Sequence, residues 1–230
     1  MNLTYDLSLP LAFLKQIKKH NDRIWFADHK SQYEKAFGEL IVFADKLLDE
    51  LKKHDDIETS NGKKSLFRIY NDVRFSKDKS PYKLNLGGGF RRATALRRGG
   101  YYFHIQPGNS FVAGGFWGPN ASDLNHIRQH IAADPEPLTE ITSSKTFKKT
   151  FGTLQGEQVK TAPRGYTSDH PAIDLLRYKQ FIIRRDFSDE EVLDKNFHKK
   201  VSDTFQHMRP FLDYMSEVLT TDLNGIPLHH

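Results

Sequence analysis

The chain is 230 residues long, 37% hydrophobic and 27% charged, with 17 phenylalanines, no cysteine and a formal net charge of +5. That composition is ordinary for a soluble protein with a core of its own, and the missing cysteine excludes disulfides, thiol catalysis and cysteine-ligated metals. The mild positive balance favours acidic partners such as nucleotides, sugar phosphates or nucleic acid, without the charge concentration of a dedicated nucleic-acid binder.

The N-terminal segment MNLTYDLSLPLAFLKQIKKH has no basic stretch ahead of its short apolar run, so it does not read as a secretory signal. The longest apolar run, LIVFA at 40–44, is too short to span a bilayer. A cytoplasmic location without membrane association is the expectation. Ser8 and Pro10 ahead of Leu11, Leu14 and Ile17 predict a short first helix. Asn21 or Asp22 caps a longer one, on which Trp25, His29, Tyr33, Phe37, Leu40, Ala44, Leu47 and Leu51 recur at helical steps until Lys52, Lys53 and His54. Residues 55–64 are polar, contain Asn61-Gly62, and read as a loop.

From Ser65 the period changes to two. Strands are predicted at 66–73, 83–90, 100–106 and 110–117, the last two joined by a Pro107-Gly108-Asn109 turn. In the third, Tyr102, His104 and Gln106 make the polar face opposite Tyr101, Phe103 and Ile105. Ser122 is the expected cap of a helix with Leu124, Ile127 and Ile131, stopped by Asp134-Pro135. Residues 136–151 read as one or two short helices, 162–166 as a loop, and Pro171 as the opening of a short helix. A strand at 180–187 follows, then a final helix with Phe197, Val201, Phe205, Met208, Leu212, Met215 and Leu219, kinked at Pro210. Helices, then consecutive strands, then helices predict an α+β fold: a single domain over 1–230, with a mainly antiparallel sheet flanked by N-terminal and C-terminal helices.

The densest chemistry lies at 67–83, FRIYNDVRFSKDKSPYK. Alternation puts Arg68, Asp72 and Arg74 on one strand face, and a loop with Lys77, Lys79 and Lys83 folds over its end. Arginine forks and lysine point charges match phosphate or carboxylate, with Asp72, Asp78 and Tyr82 orienting them. The competing reading is a solvated loop whose surface ion pairs contribute little. Pro163-Arg164-Gly165-Tyr166 is a rigid loop that either delivers Arg164 to a site or caps the next helix. The candidate ligand-binding set is therefore Arg68, Asp72, Arg74, Lys77, Asp78, Lys79, Tyr82, Lys83 and Arg164. No residue is assigned a catalytic role, no cofactor is named, and whether the chain is an enzyme stays open.

Other motifs carry less. Gly87-Gly88-Gly89 before Arg91-Arg92 reads as a bulged strand end, because no Gly-Lys-Ser or Gly-Lys-Thr follows. His126 and His130, with Asp123 one turn earlier, have chelating spacing but lie off the centre of the apolar face, so no metal site is expected. Neither G-x-S-x-G nor any other nucleophile motif occurs. Trp25 and Trp117 read as core; an exposed Trp117 near the arginines would favour single-strand binding.

Four blocks, FLKQIKKHNDRIWFADHKSQY (13–33), FRIYNDVRFSKDKSPYKLN (67–85), GGFWGPNASDLNHIRQHI (114–131) and APRGYTSDHPAIDLLRYKQF (162–181), together resemble the conserved hypothetical proteins grouped as domain of unknown function 2461. The resemblance implies one domain across nearly the whole chain, with Arg-Phe-Ser-x-Asp-Lys-x-Pro-Tyr-Lys as the hallmark, matched at 74–83. It implies no particular activity, cofactor or catalytic residue. Asn71 stands where similar sequences often carry arginine, which leaves Arg68 or Arg91 to substitute. Three functional readings result: a cleft for a phosphate- or carboxylate-bearing small molecule, with hydrolysis or group transfer as its chemistry; a nucleic-acid-binding module using Arg91, Arg92, Arg97 and Arg98; and a scaffold whose charges pair internally.

Overall fold

The computed structural model of the chain describes residues 4–228. In order they form α1 (Ser8–Ile17), α2 (Arg23–Asp28), α3 (Lys30–Leu51), α4 (Gly62–Ser65), β1 (Leu86–Arg91), β2 (Gly100–Ile105), β3 (Ser110–Phe116), α5 (Ala121–Ala133), α6 (Glu136–Ser143), α7 (Lys145–Phe151), α8 (Ile173–Leu176), β4 (Phe181–Phe187), α9 (Asp189–Val192) and α10 (Phe197–Val218). The strands make one antiparallel sheet in the order β1-β2-β3-β4, so the fold is α+β. Among the described residues, no helix is long and apolar enough to cross a membrane. Backbone contacts group the residues into two units. The first holds residues up to Phe90, Tyr102–Val112 and Asp186–Asp203; the second holds Arg91–Tyr101, Ala113–Arg185 and the chain from Thr204 on. The units alternate along the sequence, so neither is a continuous stretch.

In the first unit the helical stripe predicted for α3 is the core: Leu40, Phe43, Ala44, Leu47, Leu48 and Leu51 are all buried, and α3 packs against α1 with its buried Leu11, Leu14 and Ile17. Each of these leucine, isoleucine and phenylalanine side chains contributes about 1.5–3 kcal/mol on leaving water. Phe43 meets Phe103 of β2 edge-on at 5.4 Å and stacks on Phe197 at 5.6 Å. The long predicted helix is broken. Asp22 does cap its start, accepting from the Trp25 N–H, but the helix stops at His29. The His29 ring stacks on Trp25 at 4.0 Å, and its Nδ1 donates to the Trp25 carbonyl, competing with the backbone ladder. A single turn, α4, replaces part of the loop at 55–64, with the Asn61 side chain accepting from the Lys64 N–H.

In the second unit Ile127, Ile131, Leu138, Phe147 and Leu176 of α5–α8 are buried, as are Phe205, Met208, Phe211, Leu212 and Met215 of α10. The cap of α5 is Asn120, whose side chain accepts from the Asp123 N–H, and not Ser122. Arg92 is 1% exposed, ion-paired to Asp213 and donating to the Ser216 hydroxyl at 3.2 Å.

Candidate functional site

Residues 66–85 were expected to begin with a strand at 66–73. Instead they fold back as an irregular hairpin in the first unit, held by bridges Leu66↔Gly88 and Tyr70↔Tyr82. Its backbone bonds are Phe67 N–H to Gly87 O (3.0 Å), Asn71 N–H to Pro81 O (2.9 Å) and Lys83 N–H to Ile69 O (2.7 Å). A continuous ladder cannot form, because Pro81 has no N–H to give. Side chains complete the hairpin. Asn71 donates to the Ser80 carbonyl at 2.9 Å, and Asn21 takes both outward-facing groups of Tyr82, donating to its carbonyl (2.9 Å) and accepting from its N–H (3.1 Å).

The charged residues lie on this frame as five cations, Arg68, Arg74, Lys77, Lys79 and Lys83, against two carboxylates, Asp72 and Asp78, a local net charge of +3. Arg74 grips Asp72 with two nitrogens at 2.9 and 2.7 Å, which holds the Asp72 carboxyl below the usual carboxylate range. Both are exposed, so the pair contributes little to stability. Asp78 accepts from the Ser80 N–H at 2.8 Å, which lowers its pKa too. Lys79 Nζ donates to the Val73 carbonyl (2.9 Å) and Lys83 Nζ to the Arg68 carbonyl (2.7 Å). Desolvation, and then the charge of Arg68, push the Lys83 pKa down. Among the described residues neither Arg68, Lys77, Lys79 nor Lys83 forms an ion pair with a carboxylate.

Tyr82 is not a polar handle at the surface. It is 5% exposed and stacked on Phe26 at 4.1 Å, anchoring the hairpin in an aromatic cluster with Tyr33 and Tyr70. Arg164 is exposed and belongs to the second unit, whereas the other eight candidate residues belong to the first. Asn21, the clamp on Tyr82, was read only as a helix cap; it lies 61 residues away in sequence, and no local pattern announces it.

The second basic segment behaves differently. Arg92 is buried on Asp213, and Arg98 pairs with Asp123 of α5. With Asp123 so engaged and His126 Nε2 donating to the Thr221 carbonyl at 2.8 Å, two of the three groups with chelating spacing are occupied. Among the described residues no group of three or more His, Cys, Asp or Glu could hold a metal ion. Trp117 is 75% exposed rather than core, while its neighbour Phe116 is buried.

The family model described as conserved hypothetical protein (DUF2461) matches residues 10–214, and the chain belongs to that family. No curated protein and no solved structure matches the chain.

Proposed function

We propose that this member of the DUF2461 family binds a phosphate- or carboxylate-bearing small molecule at the hairpin 67–83, with Arg68 and Lys83 as its main anchors. The observation that carries the reading is a pair of neighbouring cations neither of which, among the described residues, is directly ion-paired to a carboxylate. Lys83 is tied to the Arg68 carbonyl, partly desolvated, and destabilised in its charged form by Arg68 itself. An anion bridging the two reverses both effects, since opposite charge favours the protonated lysine. Lys77 and Lys79 add charge from the loop, whereas Arg74 is already engaged by Asp72. Hydrolysis or group transfer on a phosphorylated metabolite is the chemistry such a cradle suits, because fixed cations stabilise charge developing on phosphoryl oxygens.

The test is calorimetric titration with inorganic phosphate, sugar phosphates and dicarboxylates at low salt, on wild type, Arg68→Ala, Lys83→Met and Arg74→Ala. Loss of one charge-assisted hydrogen bond, about 1.5–3 kcal/mol, should weaken binding about tenfold or more in the first two variants. Arg74→Ala should change it less. Absence of binding by wild type to every anion on that panel refutes the reading.

One observation favours a second reading. The exposed Trp117 offers a stacking surface for single-stranded nucleic acid in the unit that carries Arg91 and Arg97. It predicts oligonucleotide affinity that falls steeply with salt and is lost in Trp117→Ala; salt-insensitive or absent binding removes it.

A further inference from the structure

The polar face of β2 carries a hydrogen-bonded row that the anion site does not use. Tyr102 and His104 on the strand, and Gln106 just beyond it, alternate with the core residues Tyr101, Phe103 and Ile105. The Tyr102 hydroxyl lies 2.9 Å from His104 Nδ1, and His104 Nε2 lies 2.8 Å from Gln106 Oε1. Asn109 Nδ2 donates to the same Gln106 oxygen at 3.3 Å. That makes Oε1 the acceptor and His104 Nε2 the protonated nitrogen, so Nδ1 accepts from the Tyr102 O–H. Phenol, imidazole and amide thus stand in the order of nucleophile, base and orienter.

Every member is held in place. The His104 ring stacks on Phe111 at 4.4 Å and 16°. Tyr102 is flanked by Phe111 at 5.7 Å and Phe67 at 6.1 Å. Gln106 opens a tight turn in which the Ser110 hydroxyl donates to the Gln106 carbonyl (3.0 Å) and accepts from its N–H (3.1 Å), while the Gly108 N–H is bound by Asp189 (2.8 Å). Across the strand pair, a Cβ on Gly87 would meet the Phe103 carbonyl at 2.5 Å, which demands glycine there and leaves no side chain at that position beside the Tyr102 hydroxyl.

We propose that Tyr102 is a nucleophile, that His104 is its base, and that Gln106 is the positioning residue of that base, acting together on the phosphoryl centre of an anionic phosphate ester. Phe67, whose ring lies beside Tyr102, immediately precedes Arg68, whose carbonyl holds Lys83. The substrate class therefore rests on the anion-binding reading above; the triad does not. In the first step the Tyr102 oxygen bonds to phosphorus, its proton passes to His104 Nδ1, and the ester P–O bond breaks on the far side, where the departing alkoxide takes a proton from water and leaves hydroxide. Water then attacks the tyrosyl phosphate from that far side, its proton going to the hydroxide, and the Tyr102 phenolate leaves with the proton that His104 kept, freeing phosphate. Between proton transfers the imidazolium keeps its Nε2–H on Gln106 Oε1.

Phenylmethanesulfonyl fluoride tests the nucleophile without a known substrate: a phenol oxygen displaces fluoride at sulfur, and its proton goes to the adjacent base. Labelling of the full-length protein, read by peptide mass spectrometry, compares Tyr102 with Tyr70, which is 54% exposed and serves as the reference for accessibility alone. Tyr102 should label about tenfold faster than Tyr70 or more, and about a hundredfold slower in His104→Phe, the scale of general-base assistance. Gln106→Leu should lose the preference and Gln106→Glu, which keeps an acceptor oxygen, should restore it. Tyr102 labelling no faster than Tyr70, or at an unchanged rate in His104→Phe, overturns the proposal. Should His104→Phe fail to fold, the wild-type ratio and the Leu/Glu pair at Gln106 decide it. Preferential Tyr102 labelling without phosphate binding supports the triad and removes only the anion site.

Discussion

The hairpin that presents the cations is clamped at Tyr82 by Asn21, and that makes a quantitative prediction. Asn21→Leu keeps the side-chain volume but removes both hydrogen bonds to Tyr82, at 2.9 and 3.1 Å. At about 1 kcal/mol net each, the loss is about 2 kcal/mol, which raises the opening constant of the hairpin about 30-fold. The reporters are two amides inside it, Asn71 N–H on Pro81 O and Lys83 N–H on Ile69 O. Their native-state hydrogen exchange should accelerate by that factor, while amides of α3, buried along Leu40–Leu51 by the core of the first unit, should not change. Asn21→Asp, which can still accept from the Tyr82 N–H but cannot donate to its carbonyl, should fall between. Unchanged exchange at Asn71 and Lys83 in Asn21→Leu refutes the clamp, and equal acceleration in α3 means that Asn21 holds the whole unit rather than the hairpin. Phosphate affinity should follow the exchange data, because Lys83 directly follows the clamped Tyr82 and its N–H and Nζ reach across to the arm that carries Arg68.

Two further outcomes follow from burial and charge. Asp213→Ala takes the carboxylate of this ion pair from the 1%-exposed guanidinium of Arg92, and from Arg209 as well, and should cost about 3 kcal/mol in urea denaturation, whereas Arg92→Met removes the buried charge itself and should cost less; the reverse order contradicts the assignment of Arg92 as the desolvated partner. His198 is buried on the Tyr5 hydroxyl at 2.9 Å, and burial, then the charge of Lys46, hold its pKa below the ordinary 6.5. The unfolded chain therefore takes up this proton first: stability is full above 6.5, falls as pH drops below it towards the folded-state value, and is flat beneath that. Urea midpoints at about pH 7.5 and about pH 5 should differ less in His198→Gln than in wild type; an unchanged difference means that other groups carry the acid sensitivity.

What could be read from the sequence is what periodicity encodes. The stripe Leu40–Leu51 became the buried face of α3, and the alternation Tyr101–Gln106 became a strand with Phe103 and Ile105 inside and His104 outside. Alternation misled at 66–73, where the apolar-polar pattern holds but Pro81 and the side chains of Asn21 and Asn71 take over the bonds that a strand would make. The break at His29 was hidden because a histidine is tolerated in a helix, and only its stacking on Trp25 reveals the competing bond. The one-turn α9 could have been found: Ser188 and Glu191 form a capping box, a spacing plainly present in the chain. Tyr102, His104 and Gln106 were visible as a polar face, but period two cannot say that three side chains on one face will bond to one another in a row.

The two basic segments show where charge counting stops being informative. Residues 68–83 hold two arginines, three lysines and two aspartates, and residues 91–98 four arginines and no acid, so a count of local charge favours the second segment. Their difference comes from carboxylates far away in sequence: Asp213 lies 121 residues from Arg92, and Asp123 lies 25 from Arg98. Those two arginines are committed to the architecture of the second unit. In the hairpin Asp72 is gripped by Arg74 and Asp78 is bonded to the Ser80 N–H, so among the described residues Arg68 and Lys83 have no direct ion pair with a carboxylate, although the charge of Arg68 reaches Asp72. A fold can hold like charges together only at a cost in stability, and an anion that bridges them recovers it. That asymmetry, and not the number of cations, is the reason to look for a ligand at 67–83 first.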